Sequence, residues 1–381
     1  MILLFFTIFS INSCAQSEVP QNIIPKKCEV DRIEKLYQKY YKKAIDLTTL
    51  LPNGFSRKGD IDYTQELQRG LDKYNTILMP DFPVLINDIG LTISENTAVL
   101  FQPNSKIILK PSTKGTYEVL RIHQVKNVKI FNANILADAE KHLGDKGEWG
   151  MGIAIRSSAN VKIFNANIKN CWGDGIYIGQ IWNRSESRTT LEKESENIDI
   201  YNTVCNHNRR NGLSIVAGIN IKIYHSVFAN SYDTFPKSGI DIEPGPGKTN
   251  NIEVVNCVTY NNKARGIDLM LRKLPKLGDN HINLTISDHL DELSPIGIRI
   301  AGYKDLIPSE KYRIISGKIV IDNPVLRKNR INGIDFEINQ RLAPYIQICN
   351  PKITNILGDK IKISAQVNLN KIEKNNIIEI E

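Results

Sequence analysis

A nine-residue segment, Asn127-Val128-Lys129-Ile130-Phe131-Asn132-Ala133-Asn134-Ile135, returns residue for residue as 160–168, 33 positions later. Related segments follow at 197–204, 220–228 and 251–258. Between them runs a second short frame, Gly-apolar-x-apolar: Gly152-Ile153-Ala154-Ile155, Gly175-Ile176-Tyr177-Ile178, Gly212-Leu213-Ser214-Ile215, Gly239-Ile240-Asp241-Ile242, Gly266-Ile267-Asp268-Leu269, Gly297-Ile298-Arg299-Ile300 and Gly333-Ile334-Asp335-Phe336. Successive frame glycines lie 23, 37, 27, 27, 31 and 36 residues apart. Alternation of apolar and variable positions is the mark of a strand with one buried face, because successive side chains point to opposite sides. Units of this size made only of short strands and turns predict a coiled stack. Helical repeats lack support, since no unit contains a long 3.6-residue period, and the units are too short for the four strands of a propeller blade. What remains is an all-β, right-handed parallel β-helix, with each coil adding about 4.8 Å along the axis.

Other segments fit this frame. Residues 62–74 predict a short amphipathic helix with Leu67 and Leu71 inward, placed to cap the open end of the solenoid. Asn132, Asn165, Asn202 and Asn256 share one place in the repeat, with His225 substituting once. Stacked Asn side chains there are expected to bond to the backbone of the next coil, a structural role. Residues 28–50 read as a helix with Ile33, Leu36, Tyr37, Tyr40 and Ile45 on one face, and residues 17–27, with Pro20 and Pro25, as a tether. The expected organisation is a signal peptide over 1–14, a tether and helix over 15–58, and the β-helix domain over 59–381.

The first 13 residues are apolar and too short to span a membrane, which fits the core of a secretory signal. Cys14 resembles a lipoprotein attachment cysteine, although no Lys or Arg precedes the apolar run and Asn12 departs from the usual motif; plain cleavage near Ala15 is the alternative. The other five cysteines have no close spacing, so neither a disulfide framework nor a zinc site is expected. Cys205 stands where neighbouring repeats have Ile168 and Phe228, and reads as a buried thiol. A net charge of +8 suits an acidic partner, but the Lys residues form no basic block. With export, a nucleic acid is not expected and a polysaccharide is. A membrane enters as a partner through the lipid anchor.

The capping helix, the coil repeats and the Asn positions resemble the pectin-lyase-like superfamily over residues 59–350. That resemblance implies a parallel β-helix and a carbohydrate-active context. The superfamily includes polysaccharide lyases, glycoside hydrolases, uronan epimerases, phage tailspikes and non-enzymatic adhesins, so fold leaves the reaction open. The paired Asp and Gly-His-Gly signatures of polygalacturonases are absent.

Aligning the frames predicts a ladder at the outward middle position: Ala154, Tyr177, Ser214, Asp241, Asp268, Arg299 and Asp335. Asp241 and Asp268 then sit about 5 Å apart, and like charges so close keep one carboxyl protonated. Candidate catalytic residues are Asp241, Glu243, Asp268 and Asp174. Candidate substrate-binding residues are Arg209, Arg210, Asn211, Arg265, Tyr177, Trp182 and His207. A carboxylic acid and a carboxylate are what glycoside hydrolysis needs. A lyase would use arginines or Tyr177 around the proton, with Ca²⁺ held by carboxylates. No Ca²⁺-loop motif is present, and no other cofactor is expected. Insertions at 180–196, 270–280 and 301–317 are expected to wall one edge of this surface, and 137–150 the other. Glycoside hydrolysis is placed slightly ahead of β-elimination, with a non-catalytic glycan-binding surface protein as the alternative. If Asp241 and Asp268 are no more than surface charge, they should be solvated.

Overall fold

The computed structural model describes residues 18–184, 189–276, 278–364 and 372–375. The expected signal peptide and Cys14 lie outside them. Among the described residues three long parallel sheets, of twelve, ten and ten strands, wind round one interior. Each coil contributes one strand to each sheet in turn, here called sheets 1, 2 and 3. One example is Ser195–Tyr201, Val204–Asn206 and Leu213–Ile215. The chain is thus an all-β parallel β-helix. The repeated Asn segments supply strands of sheet 1 and, beyond the Asn turn, of sheet 2, and the glycine frames form sheet 3.

The apolar frame positions fill the interior. Ile240, Ile242, Ile267 and Leu269 are fully buried, joined to one core that runs the length of the stack. Each such side chain contributes roughly 1.5–3 kcal/mol when fully withdrawn from water. The frame glycine has a steric cause. A Cβ on Gly212 would stand 2.6 Å from the carbonyl oxygen of Gly239, and one on Gly266 would stand 2.5 Å from that of Gly297, so the coils close up only if this column carries no side chain.

The Asn column lies at the corner between sheets 1 and 2, each residue in the left-handed region (Asn132 φ 56°, Asn165 φ 54°, Asn202 φ 52°). Its links run from side chain to side chain, not to the next coil's backbone. Asn165 Nδ2 donates to Asn132 Oδ1 (3.0 Å) and Asn202 Nδ2 to Asn165 Oδ1 (3.2 Å). The shared left-handed turn aims successive amides along the stack axis, where each meets the next.

The helix near the start, α1, spans Val30–Tyr41, shorter than expected. The chain then returns to sheet 1 as Ile45–Asp46, and Leu47 enters the core. Helix α1 lies on the outer face of sheet 1, with Ile33 and Tyr37 against Leu78, Leu100, Phe131 and Phe164. Residues 18–28 are laid along the solenoid: Ile23 packs on Val227, Ala229, Val258 and Tyr260, and Cys28 exchanges backbone hydrogen bonds with the Asn202 amide. A second helix, α2 (Thr64–Lys73), caps the first coil through Leu67 and Leu71. Cys205 is buried in the core, where burial pushes its thiol far above the ordinary range.

Candidate active site

The ladder read from the frames is present in sheet 3. Tyr177 pairs with Ser214, Ser214 with Asp241, Asp241 with Asp268, Asp268 with Arg299, and Arg299 with Asp335. It is not solvated. Asp241 and Asp268 are each 1% exposed, at the floor of a cleft of about 380 Å³ lined by Arg210, Phe235, Pro236, Asp241, Glu243, Arg265, Asp268, Met270 and Arg299. Burying carboxyl groups without partners costs several kcal/mol, so their hydrogen bonds show how the site is arranged.

Asp268 is held on both oxygens. Arg299 donates from Nε to Oδ1 and from Nη2 to Oδ2, both at 2.9 Å, and Arg265 Nε lies 3.8 Å from Oδ2. Asp241 has far less. Asn211 Nδ2 reaches Oδ2 at 3.5 Å, and Oδ1 is buried with no hydrogen-bond partner. Burial first, and then the charge of Asp268, push the Asp241 carboxyl well above the ordinary carboxylate range. Glu243 is half-buried, two residues beyond Asp241 on the same face.

The arginines share the cleft wall. Arg210 Nη1 binds Asp174 Oδ2 at 2.9 Å. Burial works against the Arg210 charge, but Asp174 and Asp241 hold its pKa above the usual guanidinium value. Burial pulls Arg265 below it, and Arg265 Nε, like Arg210 Nε, has no hydrogen-bond partner. Arg265 Nη1 contacts Pro236 O at 3.5 Å, tying the strand to the segment that carries Phe235.

Of the residues singled out in the sequence, Asp241, Glu243, Asp268, Arg210 and Arg265 line one cleft, and the others lie behind or beside it. Asp174 is fully buried, accepting from Arg210 and from the Asn211 backbone N–H; burial raises its carboxyl pKa against the pull of Arg210. Asn211 is buried too, donating to Ser214 and accepting from the Ser238 N–H, which leaves it a brace for Asp241. Tyr177 lies under the Arg156 guanidinium, 4.1 Å from the ring centroid. Arg209 stacks on Trp172 at 3.7 Å and bonds to Asp233 and Gly147 O, so it pins the 137–150 segment outside the cleft. His207 bonds to Asn170 and stacks on Tyr232. Trp182 is 40% exposed on the two-stranded hairpin Trp182–Arg184 with Thr189–Leu191, also away from the cleft lining.

The walls differ from expectation. The insertions at 270–280 and 301–317 send Leu271, Leu274, Tyr303 and Ile315 into the core, and of their described residues Met270 alone lines the cleft. The wall is instead the segment before the Ser238–Ile242 strand, with Phe235 67% exposed. Phe235 and Arg299 are the site residues that sequence reasoning passed over. Arg299 occupied the rung after Asp268, and that adjacency was the available signal. Phe235 sits in a turn outside the repeat and carried none.

Among the described residues no three His, Cys, Asp or Glu side chains gather as a metal site. Asp268 is already engaged by Arg299 and Asp174 by Arg210, which leaves the carboxyl groups of Asp241 and Glu243, fewer oxygens than a Ca²⁺ ion takes. Three guanidinium groups in the same cleft oppose a second positive charge, so the residues do not fit a Ca²⁺ site.

Comparison with known proteins gives the same architecture. The surface protein and adhesin PfbA of Streptococcus pneumoniae aligns over 87% of this chain and 100% of its own, with 14% identity and a TM-score of 0.55. The tailspike protein of E. coli bacteriophage HK620 aligns over 82% of this chain and 57% of its own, with 11% identity and a TM-score of 0.56. The N-terminal fragment of the bacteriophage Phi29 gene product 12 aligns over 89% and 69%, with 15% identity and a TM-score of 0.54. At such identities the likeness concerns the fold. No curated protein matches the sequence. A family model described as a right handed beta helix region matches residues 86–282, just over half of the chain, and the chain belongs to that family.

Proposed function

We propose that this protein is an exported glycoside hydrolase that cleaves an extracellular polysaccharide in the Asp241 cleft, held at the cell envelope through a lipid on Cys14. The observation that carries the reading is Asp241: a carboxyl group at 1% exposure, whose pKa burial and the charge of Asp268 raise well above the ordinary carboxylate range, with one oxygen unpartnered beside an open cleft. That is the requirement for a general acid at a glycosidic oxygen. The complementary carboxylate is Glu243. Two residues along a strand set the backbone positions of acid and base roughly 6.5–7 Å apart, a spacing that suits the ~6.5–9.5 Å between carboxyl groups that leaves room for a water in inverting hydrolysis. Asp268, although nearer, has both oxygens held by Arg299 and serves as a fixed negative charge, not as a nucleophile. Phe235 offers an exposed ring for stacking on a sugar, and Arg210 and Arg265 favour acidic residues in the chain. The surface adhesin and the tailspike of the same fold support an extracellular setting.

The test is a panel of acidic and neutral polysaccharides, scored for new reducing ends and for ultraviolet absorbance. Hydrolysis yields reducing ends without absorbance, and Asp241→Asn and Glu243→Gln should each lower kcat by about 10²–10⁴ while the melting temperature holds. A second reading, β-elimination, draws on Arg265, whose Nε makes no hydrogen bond and whose pKa burial lowers; an absorbing, unsaturated product would select it. Binding without any product would select a non-catalytic glycan-binding protein. Fatty-acid labelling that disappears in Cys14→Ala tests the anchor.

A further inference from the structure

We propose that Arg299 is a positioning residue that assigns the single proton of the Asp241 and Asp268 pair to Asp241. This rests on the reading of Asp241 as the acid. The two carboxyl groups are register partners on adjoining strands, equally buried, and chemically identical. Such a pair retains one proton, because both cannot ionise side by side in a dry site. Nothing in the pairing itself says which member keeps it, yet a general acid must keep it reliably.

The surroundings are asymmetric, and Arg299 makes them so. It occupies the next rung after Asp268 and grips both of its oxygens at 2.9 Å. Paired charge-assisted bonds of this kind favour the ionised carboxylate. Asp241 receives only the 3.5 Å approach of the neutral Asn211 amide. The other charged groups round the pair are Glu243 on the Asp241 strand, Arg210 and Asp174 on the preceding side, and Arg265 on the Asp268 strand. Arg210 is already committed to Asp174. Arg265 stands 3.8 Å from Asp268 and adds to the same bias. Behind Arg299 lie Asp335, its own register partner, and Glu337 Oε2 at 3.4 Å from Nη1. Glu337 holds the guanidinium from the far side, and Asp335 adds a longer-range attraction without touching it. The rungs Asp241, Asp268, Arg299 and Asp335 therefore form a line in which the cation, by fixing the charge on Asp268, keeps the proton one rung further away.

The experiment is a pH titration of the pair in the intact protein with and without the clamp. Carboxyl ¹³C resonances of Asp241 and Asp268 are assigned through Asp241→Asn and Asp268→Asn and followed in the parent, in Arg299→Met and in Arg299→Lys. In the parent, the proton of the pair is expected on Asp241, whose resonance titrates well above the ordinary carboxylate range. In Arg299→Met both resonances should move together, with the lower of the two transitions raised by at least about one pH unit. In Arg299→Lys, where one ammonium replaces a two-pronged grip, the same shift should be smaller. If Arg299→Met does not fold, Arg299→Lys decides. The alkaline limb of the pH–rate profile, where the Asp241 proton is lost, should shift in the same order, with kcat falling and KM little changed. A proton found on Asp268 in the parent, or an unmoved Asp268 titration in a folded Arg299 variant, overturns the assignment. An Arg299-dependent titration in a protein that cleaves no polysaccharide leaves the clamp standing and removes the hydrolase instead.

Discussion

Asp241 and Asp291 are both carboxyl groups buried in one solenoid, and their hydrogen bonds separate their roles. Asp291 accepts from Thr259 Oγ1 (2.7 Å), Ser294 Oγ (2.7 Å) and Asn329 Nδ2 (2.5 Å), so both of its oxygens are satisfied within the interior. It lines no cleft and braces the corner beside the frame strand of Gly266. Burial nevertheless raises its pKa from 3.8 to about 7. The folded state thus binds a proton that the unfolded chain releases near pH 4. The stability that Asp291 contributes is complete below that pH and is lost as pH rises through about 7. A rise from 3.8 to about 7 is worth at most roughly 4 kcal/mol. His289, kept neutral in the same core with a pKa of about 3, works in the opposite sense below its ordinary value. Comparing Asp291→Asn with the parent isolates the Asp291 contribution. The melting temperature of the variant relative to the parent should climb between pH 5 and pH 8, whereas a constant difference would contradict the protonated Asp291. Neither residue's environment was legible in the sequence. The repeat placed Asp241 opposite Asp268, because register follows from the period, but it showed them on an open face. Their burial comes from Phe235, Pro236 and the arginine side chains, which lie off the repeat or whose reach depends on rotamer.

At the scale of elements, the outward face of sheet 1 carries an aromatic column. Phe131 stacks on Phe164 (5.0 Å), Phe164 on Tyr201 (5.7 Å), and Tyr201 meets Tyr224 (5.4 Å). Exposed, such a column would be a large apolar patch of the kind that drives association. Helix α1 covers it, with Tyr37 edge-on to Phe131 and Ile33 buried beside it. The helix is therefore packed on the solenoid as a cover over this column. The sequence overextended it to residue 50 because Ile45 and Leu50 continue the apolar spacing, while the structure spends those residues on a short strand and a tight turn under α2. Holding α1 in place depends on few side chains. Ile33→Ala should cost about 2–3 kcal/mol locally, read as amide exchange some 30- to 100-fold faster over Val30–Tyr41. Amides of the inner strands should keep their protection; a global loss would show that α1 is essential to the fold, not a cover on it.

For the molecule as a whole, each coil touches chiefly the coils before and after it, and stability is expected to be carried by those interfaces in series. The frame glycines and the Asn columns are what keep the interfaces in step, which is why the fold was legible from two short repeated segments. The site was less so, because its chemistry occupies the one position in the frame that the stack leaves free to vary. Asn165 tests the serial picture, since it stands in a left-handed turn and links to both neighbours, accepting from Asn202 and donating to Asn132. Asn165→Ala removes both links and leaves a side chain in a conformation that costs roughly 1–2 kcal/mol outside glycine, for a total of about 2–3 kcal/mol with the lost amide bonds. Asn165→Gly loses the links but relieves the backbone, so it should be the milder change by about 1 kcal/mol in urea denaturation. In a serial stack the damage stays near its source. Amide protection should fall most in the adjoining strands Lys129–Phe131 and Ser195–Tyr201 and recover towards Ser316–Asp322. A uniform loss of protection from one end to the other would mean that the coils unfold as a single unit and that the column acts on all of them at once.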